Sequence, residues 1–150
     1  AVVEHALGPV HPEVALHRLQ CRFARAEAFH RRAAEIDERA LGSDHLQLAD
    51  GLNCLGLALQ ERGKHVEAEE AYLRAQDIFE RAVGPVSSEA ALVLNNRGEL
   101  AEDQGRIEAA EALYLLAIAI WERVEDLDMA LIGLENLAGL LRVTGGYGPP

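Results

Sequence analysis

The sequence predicts an all-α fold, a solenoid of antiparallel helix pairs with about seven helices in a single repeat array over residues 1–150. Three observations predict it. The chain aligns with itself at an offset of 42, its apolar residues recur at helical spacing inside each repeat, and its composition suits closely packed helices. Nearly half of the residues (49%) are apolar but only 5% are aromatic, and Ala and Leu dominate. Thr144 is the single Thr, and Ser43, Ser87 and Ser88 are the only Ser. A sheet would draw more heavily on Thr and aromatics.

The repeat has two halves. Segments 21–42 (CRFARAEAFHRRAAEIDERALG), 63–84 (GKHVEAEEAYLRAQDIFERAVG) and 105–126 (GRIEAAEALYLLAIAIWERVED) align at successive offsets of 42. A second set, 52–63 (LNCLGLALQERG), 94–105 (LNNRGELAEDQG) and 134–145 (LENLAGLLRVTG), aligns at offsets of 42 and then 40. Each unit is therefore a first helix (A), a short Gly turn, a second helix (B) and a linker. The units run over about 8–41, 42–83 and 84–125, with a partial unit at 126–150.

Within each A helix, Leu52, Leu55 and Leu59, or Leu94, Gly98 and Ala101, recur three or four positions apart and share one face. Gly56 and Gly98 remove a side chain where the A and B helices cross, which predicts close backbone approach. Ala26, Ala68 and Ala110 do the same from the B side, and Tyr72 and Tyr114 are expected to fill the space between units. Gly63, Gly105 and Gly145 stand where an A helix should end in a left-handed residue.

The linkers hold stop and start signals. Gly8-Pro9, Gly42 and Gly84-Pro85 end B helices. Asp44 with Gln47 three positions on reads as a capping box, Pro12 suits a first helical position, Ser87 or Ser88 can cap the next A helix, and Asp128 the last. Helices are predicted near 12–20, 22–41, 44–62, 65–83, 87–104, 107–125 and 128–144.

LGPVHPEVA, LNNRG and GRIEAAEALY make the chain resemble tetratricopeptide repeat proteins with the 42-residue repeats of kinesin light chain and its bacterial relatives. The resemblance covers nearly the whole chain and implies a right-handed superhelix whose A helices line a concave, protein-binding surface. It also implies that Asn96 and Asn136 fall at positions that hold a bound peptide, with Cys54 at the matching position of the second unit. Three residues depart from the pattern: Arg97 replaces an apolar residue before Gly98, His30 replaces an aromatic, and Cys21 stands where Gly is expected.

The first unit is short. Gly8 to Gly42 covers an offset of 34 rather than 42, and a deficit of eight positions misphases a helix face by about 80°. That mismatch predicts a segment missing between about Ala15 and Cys21. Residues 1–7 match the last turns of a B helix, and Gly146-Tyr147 the opening of another. The chain is thus expected to be a fragment of a longer protein, with an apolar last A helix that has no B partner.

A net charge of −11 argues against nucleic acid and against anionic membrane surfaces as partners. The charge is uneven. Arg18, Arg22, Arg25, Arg31 and Arg32 face Glu27 alone in one stretch, whereas Glu99, Glu102, Asp103, Glu108 and Glu111 face Arg106 in another. The basic stretch reads first as a solvated helix face. No apolar run reaches the roughly 20 residues that span a bilayer. Cys21 and Cys54 lack metal-ligand spacing and are expected as buried, reduced thiols of a cytoplasmic, bacterial protein. The six His form no metalloprotease pair with a Glu, every Gly serves a helix stop or crossing rather than a phosphate loop, and the Ser sit at caps. The chain is therefore expected to be no enzyme, with no catalytic or metal-ligating residues and no cofactor.

The expected function is a scaffold that binds a peptide or a partner domain on its concave face. The residues expected there are Asn53, Asn95, Asn96, Glu99, Glu102, Asp103, Glu135 and Asn136, with Asp50, Leu57, Gln60, Glu61 and Arg142 beside them. An Asn amide can both donate to and accept from a peptide backbone, and the surrounding carboxylates favour a basic partner. Against this stands hydrogen bonding of the Asn side chains within the repeats. Two other readings remain open: homo-oligomerisation through the terminal helices, and a sensor arm of a larger multidomain signalling protein.

Overall fold

The computed structural model describes residues 12–145, which form six helices: α1 (Pro12–Leu41), α2 (Leu46–Glu61), α3 (His65–Val83), α4 (Ser88–Asp103), α5 (Ile107–Arg123) and α6 (Leu127–Val143). No strand occurs among the described residues. The readings of residues 1–11 and 146–150, including the Gly8-Pro9 stop and the opening of a further B helix, lie outside them.

Helices α2 and α3 form one antiparallel pair, α4 and α5 the next, and α6 opens a third. Successive A helices (α2, α4, α6) touch one another, whereas successive B helices (α1, α3, α5) do not approach as closely. The array therefore curves with its A helices on the inside. Leu48, Leu52, Leu55 and Leu59 of α2 bury against Ala68, Ala71, Tyr72, Ala75 and Phe79 of α3, as the helical period of the apolar positions requires. In the next unit Trp121, Ile120 and Ala117 close over Ala91, Leu94 and Ala130.

The structure corrects the sequence reading at several points. Where two helices were expected, near 12–20 and 22–41, one 30-residue helix runs through. The reason is local: between Pro12 and Gly42 there is neither Gly nor Pro, and Cys21 takes the place of the Gly that breaks the chain at 63 and 105. At 1.5 Å per residue, α1 is about 45 Å long and its neighbour α2 about 24 Å, so the N-terminal part of α1 overhangs.

Helix α2 begins one position later than the Asp44–Gln47 pattern indicates. His45 is the N-cap, its Nδ1 accepting from the Gln47 amide, while Asp44 pairs with Arg81. Ser87 caps α4 as expected, but α6 is capped by Asp126 rather than Asp128. The room left by Gly56 and Gly98 is filled by the rings of Tyr72 and Tyr114 and not by backbone. An added Cβ would stand 2.4 Å and 2.7 Å from the respective ring carbons. Each ring thus packs on the Gly of its own unit and also shares a buried cluster with the next one, Tyr72 with Val93 and Leu100 and Tyr114 with Leu140. Cys21 and Cys54, expected to be buried, are both exposed.

Candidate functional site

The inner face is a polar row built across three A helices. Asn53 and Leu57 belong to α2, Asn95, Asn96, Glu99, Glu102 and Asp103 to α4, and Glu135 and Asn136 to α6. They share one side of the array because each A helix presents the same register to its neighbour.

The amides stitch that row together. Asn96 Nδ2 donates to Asn53 Oδ1 at 2.9 Å, and Asn136 Nδ2 donates to Asn95 Oδ1 at 3.2 Å and to Glu99 Oε1 at 3.1 Å. Asn95 Nδ2 also donates to Glu99 Oε1, at 3.3 Å. Asn53, Asn95 and Asn96 are buried and Asn136 is half-buried. Much of their hydrogen bonding is thus spent between units, side chain to side chain, and it sets where the neighbouring carboxylates stand.

A second strand of the network runs along the far end of the row. Tyr72 donates to Gln60 Oε1 at 2.9 Å, and Gln60 Nε2 donates to Asp103 Oδ2 of the next unit at 2.8 Å. Tyr114 donates to Glu102 Oε2 at 2.8 Å. Reading the tyrosines as spacers missed their hydroxyls. The signal was present, because Gln60–Tyr72 and Glu102–Tyr114 have the same separation of 12 and recur at the repeat offset.

Among the described residues, the ion pairs lie away from this row. The ion-paired carboxylates Glu27, Glu38, Asp44, Glu67, Glu69 and Asp77 belong to α1, α3 or the linker between α1 and α2. None of these pairs involves Asp50, Glu61, Glu89, Glu99, Glu102, Asp103 or Glu135. Burial pushes the Glu99 carboxyl above the usual carboxylate range against the amide bonds from Asn95 and Asn136, and the charges of Asp103 and Glu102 push it further. Burial likewise raises Asp50, with Glu89 adding, and Cys54, with Asp50 adding. The Tyr72 hydroxyl is raised by burial and then by Glu99, Glu61 and Asp103, whose negative charges converge on it.

Two polar clusters on the outer helices hold the array together. Glu27, buried on α1, accepts from Arg31, from Arg62 and from Lys64 in the turn between α2 and α3. Arg97, which departs from the repeat pattern, reaches back to α3, donating through Nε and Nη2 to Glu69 Oε1 and through Nη1 to Gln76 Oε1. No cluster of His, Cys, Asp and Glu able to hold a metal occurs among the described residues. Nor is any described helix long and apolar enough to cross a membrane.

Antiparallel helix pairs, recurring at an offset of 42 around an inner row of A helices, define a helical-repeat solenoid. The tetratricopeptide repeat profile matches residues 13–81 and 47–123, and the chain belongs to that family, whose repeats generally mediate protein–protein interaction. The repeat spacing is of the kinesin-light-chain kind. Among solved structures, the crystal structure of BtubC (BKLC) from P. vanneervenii is similar, with a TM-score of 0.62 and 20% identity over 86% of this chain. The chain spans 60% of that protein, and at this identity the likeness concerns the fold. Comparison with curated proteins gives no match.

Proposed function

We propose that the chain is a non-catalytic scaffold that binds a basic segment of another protein along its inner face. The observation that carries this reading is the row of inner carboxylates with no cation paired to them among the described residues: Asp50, Glu61, Glu89, Glu99, Asp103 and Glu135. Like charges held together on a folded surface favour a cationic partner, in encounter rate and in specificity. Asn96 and Asn136 serve the contact by fixing the register of α4 against its neighbours and by holding Glu99 in place.

The test is titration of a fluorescent Lys/Arg-rich peptide, and of the same peptide with Glu at those positions, by anisotropy at two salt concentrations. Preference for the basic peptide, weakened by salt and by Asp103→Asn with Glu61→Gln, is the expected result. Equal binding of both peptides, or basic-peptide binding unchanged by Asn96→Ala with Asn136→Ala, would rule the reading out.

A further inference from the structure

Helix α5 carries an apolar stripe on the outer side of the array. Ala112, Leu115, Leu116 and Ala119 are all exposed, and Glu108 and Arg123, exposed as well, stand one turn beyond them at either end. At 3.6 residues per turn the six positions fall within an arc of about 100°. The same face of α3 is polar. Its equivalents, 42 positions earlier, are Val66, Glu70, Leu73, Arg74, Asp77 and Arg81, with Arg74 paired to Glu38 and Arg81 to Asp44 and Asp77. All six are exposed although α3 has a B helix on either side of it. Leu73 is 45% exposed and its equivalent Leu115 is 50% exposed. Openness of this face is therefore a property of the repeat and does not depend on where the described residues stop.

The order of residues along the stripe reads the same from both ends, except that the charge changes sign. About a centre between Leu115 and Leu116, Ala112 stands as far to one side as Ala119 to the other, and Glu108 as far as Arg123. Neither Glu108 nor Arg123 takes part in an ion pair among the described residues. A groove of about 360 Å³ opens along the Leu116 edge, lined by Leu116, Ala119 and Arg123 of α5, by Val86, and by Gln76 and Glu80 of α3.

We infer that the chain forms a two-fold dimer through this face, α5 packing antiparallel on α5 of a second copy. The occupant follows from charge complementarity. With the two-fold axis through the centre of the stripe, leucine meets leucine, alanine meets alanine, and each Glu108 meets the partner's Arg123. A partner of uniform charge would meet like charge at one end, whereas the same surface run in reverse meets opposite charge at both. The alanines let the two helices approach closely, and the groove takes up partner side chains along the Leu116 edge. Such a contact uses the same patch on both copies and closes at two. The inner carboxylates belong to A helices and take no part, so dimer formation and peptide binding stand or fall separately.

Sedimentation velocity over a concentration series tests it, with circular dichroism confirming that each variant keeps its helix content. The expected result is a monomer–dimer equilibrium that never passes the dimer. Leu116→Glu, at an exposed position, should abolish the dimer. Glu108→Arg and Arg123→Glu should each weaken it about tenfold by setting like charges together at both ends. The double variant, or an equimolar mixture of the two single variants, should associate as the native chain does. A monomer at every concentration, or a dimer indifferent to Leu116→Glu or to the charge reversals, would overturn the proposal. Thiol labelling of Leu116→Cys in a Cys21→Ser, Cys54→Ser chain then tells what covers the face instead. In a monomer, a protected thiol would assign the face to residues 1–11 or 146–150 of the same chain, and a reactive one to a partner of another kind. The same series on the protein with any sequence that adjoins residues 1–150 completes the test. A dimer lost there would mean that a neighbouring segment of the same protein occupies the face, which also overturns the proposal.

Discussion

Tyr72 lies over Gly56 and donates its hydroxyl to Gln60 Oε1 at 2.9 Å, so one side chain fills the A–B crossing and also reaches the inner face. Tyr114 repeats both contacts with Gly98 and Glu102. Because a Cβ on residue 56 would lie 2.4 Å from the ring, the ring must be displaced to admit it. Gly56→Ala should therefore cost about 1–3 kcal/mol in urea unfolding. Gly139→Ala, with nothing within 4 Å of the new methyl, should instead stabilise α6 by up to about 1 kcal/mol. Equal effects of the two substitutions would show that the ring contact is not the cause.

Glu27 makes acid sensitivity predictable. Burial alone would raise its pKa, but the hydrogen bonds from Lys64, Arg62 and Arg31 outweigh burial and hold the carboxyl at about 2, against 4.5 for an ordinary Glu. A folded-state pKa below the unfolded value contributes stability that is fully present above pH 4.5 and lost as pH falls toward 2. Glu27→Gln should cost about 2–3 kcal/mol at neutral pH, less than a fully buried pair because Arg62 and Lys64 remain partly in solvent. Thermal unfolding of both proteins from pH 7 to pH 2 checks the sign, because the gap between them should close over the lower half of that range.

Gly56, Gly98, Tyr72 and Tyr114 were legible as repeat positions because their spacing is exact in the chain, and so were the carboxylates of the inner row. The partners of the asparagines were not. Asn96 bonds Asn53 across a separation of 43, and Asn136 bonds Asn95 across 41, each one step off the repeat register. That step depends on how far one A helix slides along the next, which helical periodicity does not encode. The continuous α1 was missed for the opposite reason. The repeat template demanded a turn near Cys21, but without a Gly or Pro the local preference for helix prevailed.

The end of α5 shows the cost of a missing Gly. Glu125 sits at φ 61, the left-handed region that Gly42, Gly63, Gly84 and Gly105 enter elsewhere without a side chain to clash. Glu125→Gly should raise stability by about 1 kcal/mol, since a left-handed conformation costs a residue with a Cβ roughly that much. Glu122→Gly, three positions earlier and inside the helix, should lower stability by about the same amount. Urea unfolding of the pair checks the assignment, and a loss of stability in both would show that the strain at 125 is relieved by something other than backbone freedom.

Glu99 joins stability to the proposed contact. Burial, with Asp103 and Glu102 beside it, raises its pKa in the folded state despite the amides of Asn95 and Asn136. For a carboxyl shifted upward the sign reverses relative to Glu27: folding favours the protonated form, so ionisation at neutral pH works against the fold and acid relieves it. Glu99→Gln keeps the shape while removing the charge. It should raise the melting temperature at pH 7 and lose that advantage as pH falls through the carboxylate range. The same substitution should weaken binding of a basic peptide, because the charge that destabilises the array is part of what attracts the partner. Melting curves from pH 4 to 7 beside peptide titrations would show both effects in one protein. If the substitution lowers stability at pH 7 while binding is unchanged, Glu99 serves the packing of α4 against α6 and not the ligand.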